Sequence, residues 1–267
     1  MKPLAEMNPE IIKDLRGIFF DIDDTFTTKG KIHEQAFSAL WALHRSGITA
    51  VPITGRPAGW CDHISRMWPV DGIVGENGAF YFWYDHGDGK LKKRFLDSDD
   101  ERARKKNLLQ KIKDEILISI PGTALASDQS YREADLAIDF REDVSPLPWK
   151  DVDRICAVFN KHGATCKISS IHVNGWFGDY DKLQMARIFT MERFGVDLDS
   201  ERDRYVFCGD SPNDEPMFRY FPNSVGVSTV RNYSGIMKFL PSFITGGEGG
   251  TGFAELASLL IRHRKTE

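Results

Sequence analysis

The spacing of hydrophobic and polar positions changes several times along the chain. Gly17-Ile18-Phe19-Phe20 is a short apolar run ending in acids, the pattern of a strand buried on both faces. Over 33–46, Ala36, Phe37, Leu40, Trp41 and Leu43 recur near helical spacing, and Gly47 supplies a stop. Ile48 to Ile53 returns to a strand pattern, and Pro57 suits the first turn of a following helix. This β-α-β-α order predicts a parallel sheet with helices on its faces.

The texture changes after Phe80. Residues 81–84 and 91–96 flank Asp85-His86-Gly87-Asp88-Gly89-Lys90 and predict a hairpin. A charged helix is expected over about 99–118, a strand over 131–140, a helix over 150–161 and one strand over 166–177. The first pattern then resumes: helix 181–194, strand 205–208, helical turns 215–220, strand 223–227, helix 231–239, strand 242–245 and a final helix 252–263. The expected fold is α/β, a Rossmann-like doubly wound parallel sheet with an inserted α+β unit. The core would comprise 1–84 and 178–267, and the insert 85–177. The run Gly246–Gly252 lacks the Lys-Ser/Thr ending of a phosphate-binding P-loop and reads as a flexible turn between strand and helix.

Composition narrows the function classes. Of the 267 residues, 41% are hydrophobic, enough for a sizeable core. A net charge of −4 argues against a broad nucleic-acid footprint. No apolar run reaches the ~18 residues of a membrane span, and the first residues lack the apolar stretch of a secretory signal. Cys61, Cys156, Cys166 and Cys208 form no C-x-x-C pair, so reduced thiols in a cytoplasmic protein are expected.

The candidate chemistry lies at predicted strand ends, where open parallel sheets bind ligands. Asp21-Ile22-Asp23-Asp24-Thr25 follows the first strand. Its carboxylates repel one another and need a cation, protons or solvent. A calcium loop fits poorly, because Phe26 and Ile32 stand where glycine and glutamate would be required. On this motif alone, a solvated acidic turn accounts for the residues as well as chemistry does. Thr54-Gly55-Arg56, at the next strand end, offers a hydroxyl and backbone N–H groups to an anion. Gly209-Asp210-Ser211-Pro212-Asn213-Asp214 is a second acidic strand end. Lys182 opens a helix, where a cation opposes the helix dipole unless it points at an anion. Taken singly, each has a structural explanation: turn glycine, surface arginine, solvated lysine. Together they place a nucleophilic carboxylate, a divalent-metal site and anion contacts on one sheet edge.

This constellation resembles the haloacid dehalogenase-like phosphatases. Asp21-Ile22-Asp23-Asp24-Thr25 matches the first motif of that superfamily, Thr54 the second, Lys182 the third, and Gly209 to Asp214 the fourth. The insert resembles the C2-type cap of the Cof-like branch, subclass IIB, which includes sucrose-phosphate, trehalose-phosphate and mannosyl-3-phosphoglycerate phosphatases and phosphomannomutases. Glu76-Asn77-Gly78-Ala79 is also typical of that branch. Asp24 departs from the pattern, since relatives often carry Gly or Asn there.

The resemblance implies a magnesium-dependent phosphomonoesterase acting on a sugar phosphate or similar small metabolite. Asp21 would be the nucleophile and Asp23 the acid–base. Mg2+ would be held by Asp21, the Asp23 carbonyl and Asp210, with Asn213 and Asp214 orienting that shell. Thr54, Gly55, Lys182 and Asn213 would hold the phosphoryl group. Arg56 would either assist or form a salt bridge at the helix start. In the cap, Asp128, Tyr131, Arg132, Glu133 and Asp135 cluster near one strand. His172, Asn174 and Trp176 alternate onto one face of another. Of these, Arg132, Asp135, His172, Asn174 and Trp176 are the candidate substrate contacts, although the same alternation describes the exposed face of any half-buried sheet. Trp60 would either meet that pocket or pack within its helix. The alternatives are a phosphomannomutase-like mutase, which needs a second phosphate site in the cap, and a non-catalytic phospho-switch or sugar-phosphate sensor. An intact Asp21/Asp23 pair favours turnover. The expected partner is a small phosphate ester, with neither nucleic acid nor membrane.

Overall fold

The structure, a computed structural model, describes residues 1–264. Six parallel strands form the central sheet, in the order Lys2–Pro3, Phe243–Ile244, Asn223–Gly226, Tyr205–Gly209, Gly17–Phe20 and Thr49–Pro52. Alternation along its central strands divides the core. Ile18, Phe20, Val206 and Cys208 pack toward helices Glu34–Arg45 and Gly249–His263. Phe19, Tyr205 and Phe207 pack toward helices Lys182–Phe194 and Glu215–Tyr220 on the other face. Each such fully buried side chain contributes roughly 1.5–3 kcal/mol of transfer free energy. Both faces are covered, so the strands read as continuous apolar runs.

The hairpin forms from Phe80–Asp85 and Lys90–Phe95, and its first strand also pairs with Ile73–Gly75. A bridge between Ile53 and Val74 ties this small sheet to the central one. Beyond it lies a separate antiparallel sheet, ordered Ala124–Leu125, Leu136–Asp139, His172–Trp176, Thr165–Ile168. Leu136, Ile138 and Val173 on one face meet Leu109, Ile112 and Ile116 of helix Asp99–Ser119. They also meet Val152, Ile155 and Phe159 of helix Trp149–Lys161. Asp139 and His172 are paired in register, and His172 and Asn174 project together from the other face of this sheet, which lies over the strand ends of the core.

Several expected elements differ. The single strand over 166–177 is a hairpin, Thr165–Ile168 and His172–Trp176, reversing at Ser169-Ser170-Ile171. The Ser169 hydroxyl accepts from the His172 N–H at 3.0 Å and stabilises that turn locally, a pairing that alternation alone does not display. The strand over 131–140 shortens to Leu136–Asp139, preceded by a 3-10 turn at Gln129–Tyr131. The helix over 231–239 is instead a 3-10 turn at Ser228–Tyr233. The last helix starts at Gly249 rather than Gly252. Its glycines are packed, not flexible: a Cβ at Gly250 would approach the Phe26 carbonyl to 2.8 Å. Among the described residues, no helix is long and apolar enough to cross a membrane.

Candidate active site

The strand ladder places the acids. The Asp21 N–H donates to the Cys208 carbonyl at 2.9 Å, so Asp21 and Asp210 emerge from neighbouring strands at the same sheet edge. The chain then turns sharply. Asp24 has φ +55°, and its N–H donates to Thr27 Oγ1. That left-handed backbone favours Gly or Asn on steric grounds. At the second acidic loop, Asp214 Oδ2 accepts from the Asp210 and Ser211 N–H groups at 3.0 and 3.3 Å. The approach requires Gly209, where any Cβ would overlap Asp214 Oδ2.

Lys182 lies in the first turn of its helix, with Asp181 capping through the Gln184 N–H. Its side chain is buried and donates to Asp21 Oδ1 and Asp214 Oδ1, both at 2.7 Å. The expectation that Lys182 points at an anion therefore resolves to two carboxylates. Burial works against the charged lysine, but Asp21 and Asp214 outweigh it and hold the ammonium above its ordinary pKa. Burial pushes the Asp21 carboxyl up to about 8; Lys182 opposes this, while Asp214 and Asp23 add to it. Asp210 is raised well above the carboxylate range by burial and by Asp21, Asp214 and Asp24.

Asp21, Asp210 and Asp214 each offer an oxygen within 4.8 Å of the others. Three buried carboxylates share one ammonium, leaving excess negative charge. Asp210 accepts from Thr25 Oγ1 at 3.0 Å and has no cationic side chain paired with it among the described residues. Asp214 is already engaged by Lys182 and two N–H groups, whereas Asp21 keeps Oδ2 and Asp210 keeps one oxygen free of protein donors. This hard-oxygen set fits a small divalent cation such as Mg2+.

Asp23 is held by Arg56, whose Nε and Nη2 reach its carboxylate at 2.9–3.1 Å. Arg56 is buried, lies 4.4 Å from the Trp60 ring centroid, and reaches Glu142 Oε1 at 2.7 Å and Asp128 Oδ2 at 3.3 Å. The salt bridge at the helix start is therefore real, and it spans the core and the insert. Against the cost of burial, His172 and Arg56 pull Glu142 down to about 2. His172 Nε2 stands 2.9 Å from Glu142 Oε2, an ion-pair distance without hydrogen-bond alignment. Thr54 Oγ1 accepts from the Arg56 N–H at 3.0 Å, and the Gly55 carbonyl accepts from Arg132 Nη1 at 2.9 Å.

The recess lined by Asp21, Asp23, Gly55, Arg132, His172, Asn174 and Asn213 has a volume of about 10 Å3. Asn174 Nδ2 donates to Asp135 Oδ2 at 3.0 Å, and Arg132 binds Asp128 and Asp135. Asn213 Oδ1 accepts from the Ser211 hydroxyl at 2.8 Å. Trp176 does not line this recess. It stacks on Tyr180 at 5.3 Å and packs with Ile22, Ala58 and Phe80, since the insert's sheet runs into the core at that end. Trp60 remains 41% exposed beside Arg56.

Sequence reading missed Glu142 and the part played by Glu76. Glu76 is fully buried and accepts from the N–H groups of Ala58, Glu133, Ala134 and Asp135, clamping a core helix start to the insert. Burial and Asp135 push its carboxyl up to about 7, against Arg132 and these N–H donors. Only the Glu76-Asn77-Gly78 run marked the position in the sequence; in the structure all three of its residues have positive φ. Glu142 carried no signal, because Arg56 lies 86 positions away.

Fold and site together define an α/β protein with a carboxylate centre at the ends of its parallel strands and an inserted layer over that centre. Residues 18–146 match the family described as haloacid dehalogenase-like hydrolase, so this stretch of the chain is similar to that family. No curated protein matches the sequence. Among solved structures, the fold is shared with the C-terminal domain of trehalose-6-phosphate phosphatase from C. albicans. The TM-score is 0.73 at 14% identity, covering 98% of each chain. A protein of Thermoplasma acidophilum gives 0.69 at 18% identity, covering 92% of this chain and 98% of its own. The sucrose-phosphatase of Synechocystis sp. PCC6803, solved with sucrose and phosphate, gives 0.61 at 14% identity, covering 92% and 98%.

Proposed function

We propose that the protein is a magnesium-dependent phosphomonoesterase that hydrolyses a sugar phosphate or similar small phosphorylated metabolite. The observation that carries this reading is the buried cluster of Asp21, Asp210 and Asp214 around Lys182, with Asp23 two residues beyond Asp21. Asp21 Oδ2 attacks phosphorus, forming a P–O bond to the carboxylate while the bond to the alcohol breaks. Asp23 gives its proton to the departing oxygen. A water then attacks the aspartyl phosphate, Asp23 takes its proton, and inorganic phosphate leaves. A carboxylate nucleophile divides one difficult hydrolysis into two easier steps. Acid–base help of this kind is worth about 10²–10⁴ in rate.

Asp21, the Asp23 carbonyl and Asp210 would hold Mg2+, with Asp214 and Asn213 fixing that arrangement. The ion supplies positive charge that screens the carboxylate from the phosphate dianion. Thr54, the Gly55 N–H, Lys182 and Asn213 position the phosphoryl oxygens.

A recess of about 10 Å3 holds one water at most, so substrate enters when the cap lifts away. Lifting breaks the contacts of Arg56 with Asp128 and Glu142. Arg132, Asp135, His172 and Asn174 then face the leaving group. The mutase reading is weaker: of the two cap arginines it would use for a second phosphate, Arg132 is already engaged by Asp128, Asp135 and the Gly55 carbonyl, and Arg141 lies over the Phe140 and Trp149 rings. The test is magnesium-dependent phosphate release across hexose, disaccharide, glycerate and nucleotide phosphates. Preference for one sugar phosphate is expected. Silence until a bisphosphate activator is added would replace the hydrolase with the mutase.

A further inference from the structure

The cluster at the opposite edge of the sheet has no part in this chemistry. Lys13, Arg16, Arg45, Arg204 and Arg264 surround a cleft of about 730 Å3, with Asp14 the one acidic residue among the described residues of its lining. Arg16 and Arg204 immediately precede the two central strands, and the Arg16 N–H donates to the Arg204 carbonyl at 2.8 Å. Asp21 and Asp210 lie at the far ends of those same strands, so the two sites are separated by the length of the sheet.

We propose that this cleft binds a condensed phosphate, an anion with two or more linked phosphoryl groups. Several of its cations already have partners. Lys13 pairs with Glu10 at 2.6 Å, and Glu201 is shared by Arg16 at 2.7 Å and Arg204 at 3.4 Å. Arg45 and Arg264 have no carboxylate partner among the described residues. Arg264 Nη1 is buried with no acceptor among the described residues.

Helices Pro9–Lys13, Glu34–Arg45 and Gly249–His263 all end at the cleft, and cations complement helix C-termini. That effect accounts for Lys13 and Arg45. It also covers Arg204, whose Nε donates to the Asp14 carbonyl at 3.5 Å, but it does not account for Arg16 at a strand start. Nor does it explain the buried Arg264 Nη1, which bonds no carbonyl among the described residues. Phosphoryl oxygens would provide the missing acceptors, and guanidinium groups bind them in a forked geometry. A single phosphate reaches one or two of these cations, whereas a linked chain spans the cleft. Leu15 and Ile261 add an apolar stretch of wall that a nucleoside attached to the chain could cover.

Calorimetric titration of the full chain in metal-free buffer tests the site without turnover. The probes are orthophosphate, inorganic tripolyphosphate and ATP. Tripolyphosphate is expected to bind at least about tenfold more tightly than orthophosphate. The Arg45→Gln/Arg264→Gln variant should lose at least about tenfold of that affinity, and Asp21→Asn none. ATP matching tripolyphosphate assigns the cleft to the phosphate chain; tighter ATP binding assigns it to a nucleotide. Arg45 is exposed and makes no side-chain hydrogen bond or ion pair among the described residues, so Arg45→Gln alone, expected to cost about threefold, tests the site even if the double variant unfolds. Absence of saturable binding, binding indifferent to both arginines, or binding lost with Asp21→Asn would each overturn the proposal.

Discussion

The ammonium of Lys182 stands 2.7 Å from Oδ1 of Asp21, with both groups buried at the head of the parallel sheet. The same nitrogen serves Asp214, so one cation holds two carboxylates whose mutual repulsion would otherwise open the site. Removing it leaves buried charge unpaired. Lys182→Met is expected to cost about 3–5 kcal/mol of stability, read from urea unfolding, and to abolish phosphate release. A loss under 1 kcal/mol would mean that the carboxylates are already neutralised some other way.

Asp21→Asn separates chemistry from folding. The amide keeps the size of the side chain, and Asp214 still pairs with Lys182. Phosphate release should fall at least about a thousandfold, with an unchanged circular dichroism spectrum. Substantial residual turnover would remove Asp21 from the nucleophile role.

Asp210 is the carboxylate without a cation of its own. Asp210→Ala should raise the magnesium concentration needed for half-maximal activity at least about tenfold. An unchanged magnesium titration would contradict its place as a ligand.

Glu142 sets a pH dependence. Its folded-state pKa lies below the unfolded value because His172 and Arg56 favour the charged form over the opposing effect of burial. The native state therefore binds fewer protons than the unfolded state between about 4.5 and about 2. The contribution is fully present above that window and is lost as pH falls through it. Glu142→Gln should lower stability by about 1 kcal/mol at neutral pH and flatten the acid limb of the stability curve. Parallel acid limbs in the two proteins would exclude the linkage.

Gly209 allows Asp214 to approach the strand end. Gly209→Ala forces the carboxylate away from the Asp210 and Ser211 N–H groups. Loss of activity together with a stability cost of about 1–3 kcal/mol is expected, measured by phosphate release and thermal unfolding.

The chain by itself determined the elements whose signal is local. Gly17–Phe20 is apolar at every position because both faces are covered, and the acids that follow it mark a strand end whatever lies nearby. The carboxylates, Thr54 and Lys182 were legible for the same reason: each sits at the end of a strand or the start of a helix, and strand order carries them to one edge.

Contacts between distant segments were decided only by tertiary structure. Strand alternation put Trp176 on the same face as His172 and Asn174, but the tilt of the insert buries it against Tyr180 while the other two reach the recess. Arg56 could be read as a phosphate contact or as a local salt bridge. Packing of the insert joined it to Asp23, Asp128 and Glu142 at once. The basic cleft is likewise assembled from four separate stretches of chain. Periodicity records which face of an element is apolar, because burial acts on each residue in turn. It does not record which two faces meet, because that depends on the combined shape of elements far apart in sequence.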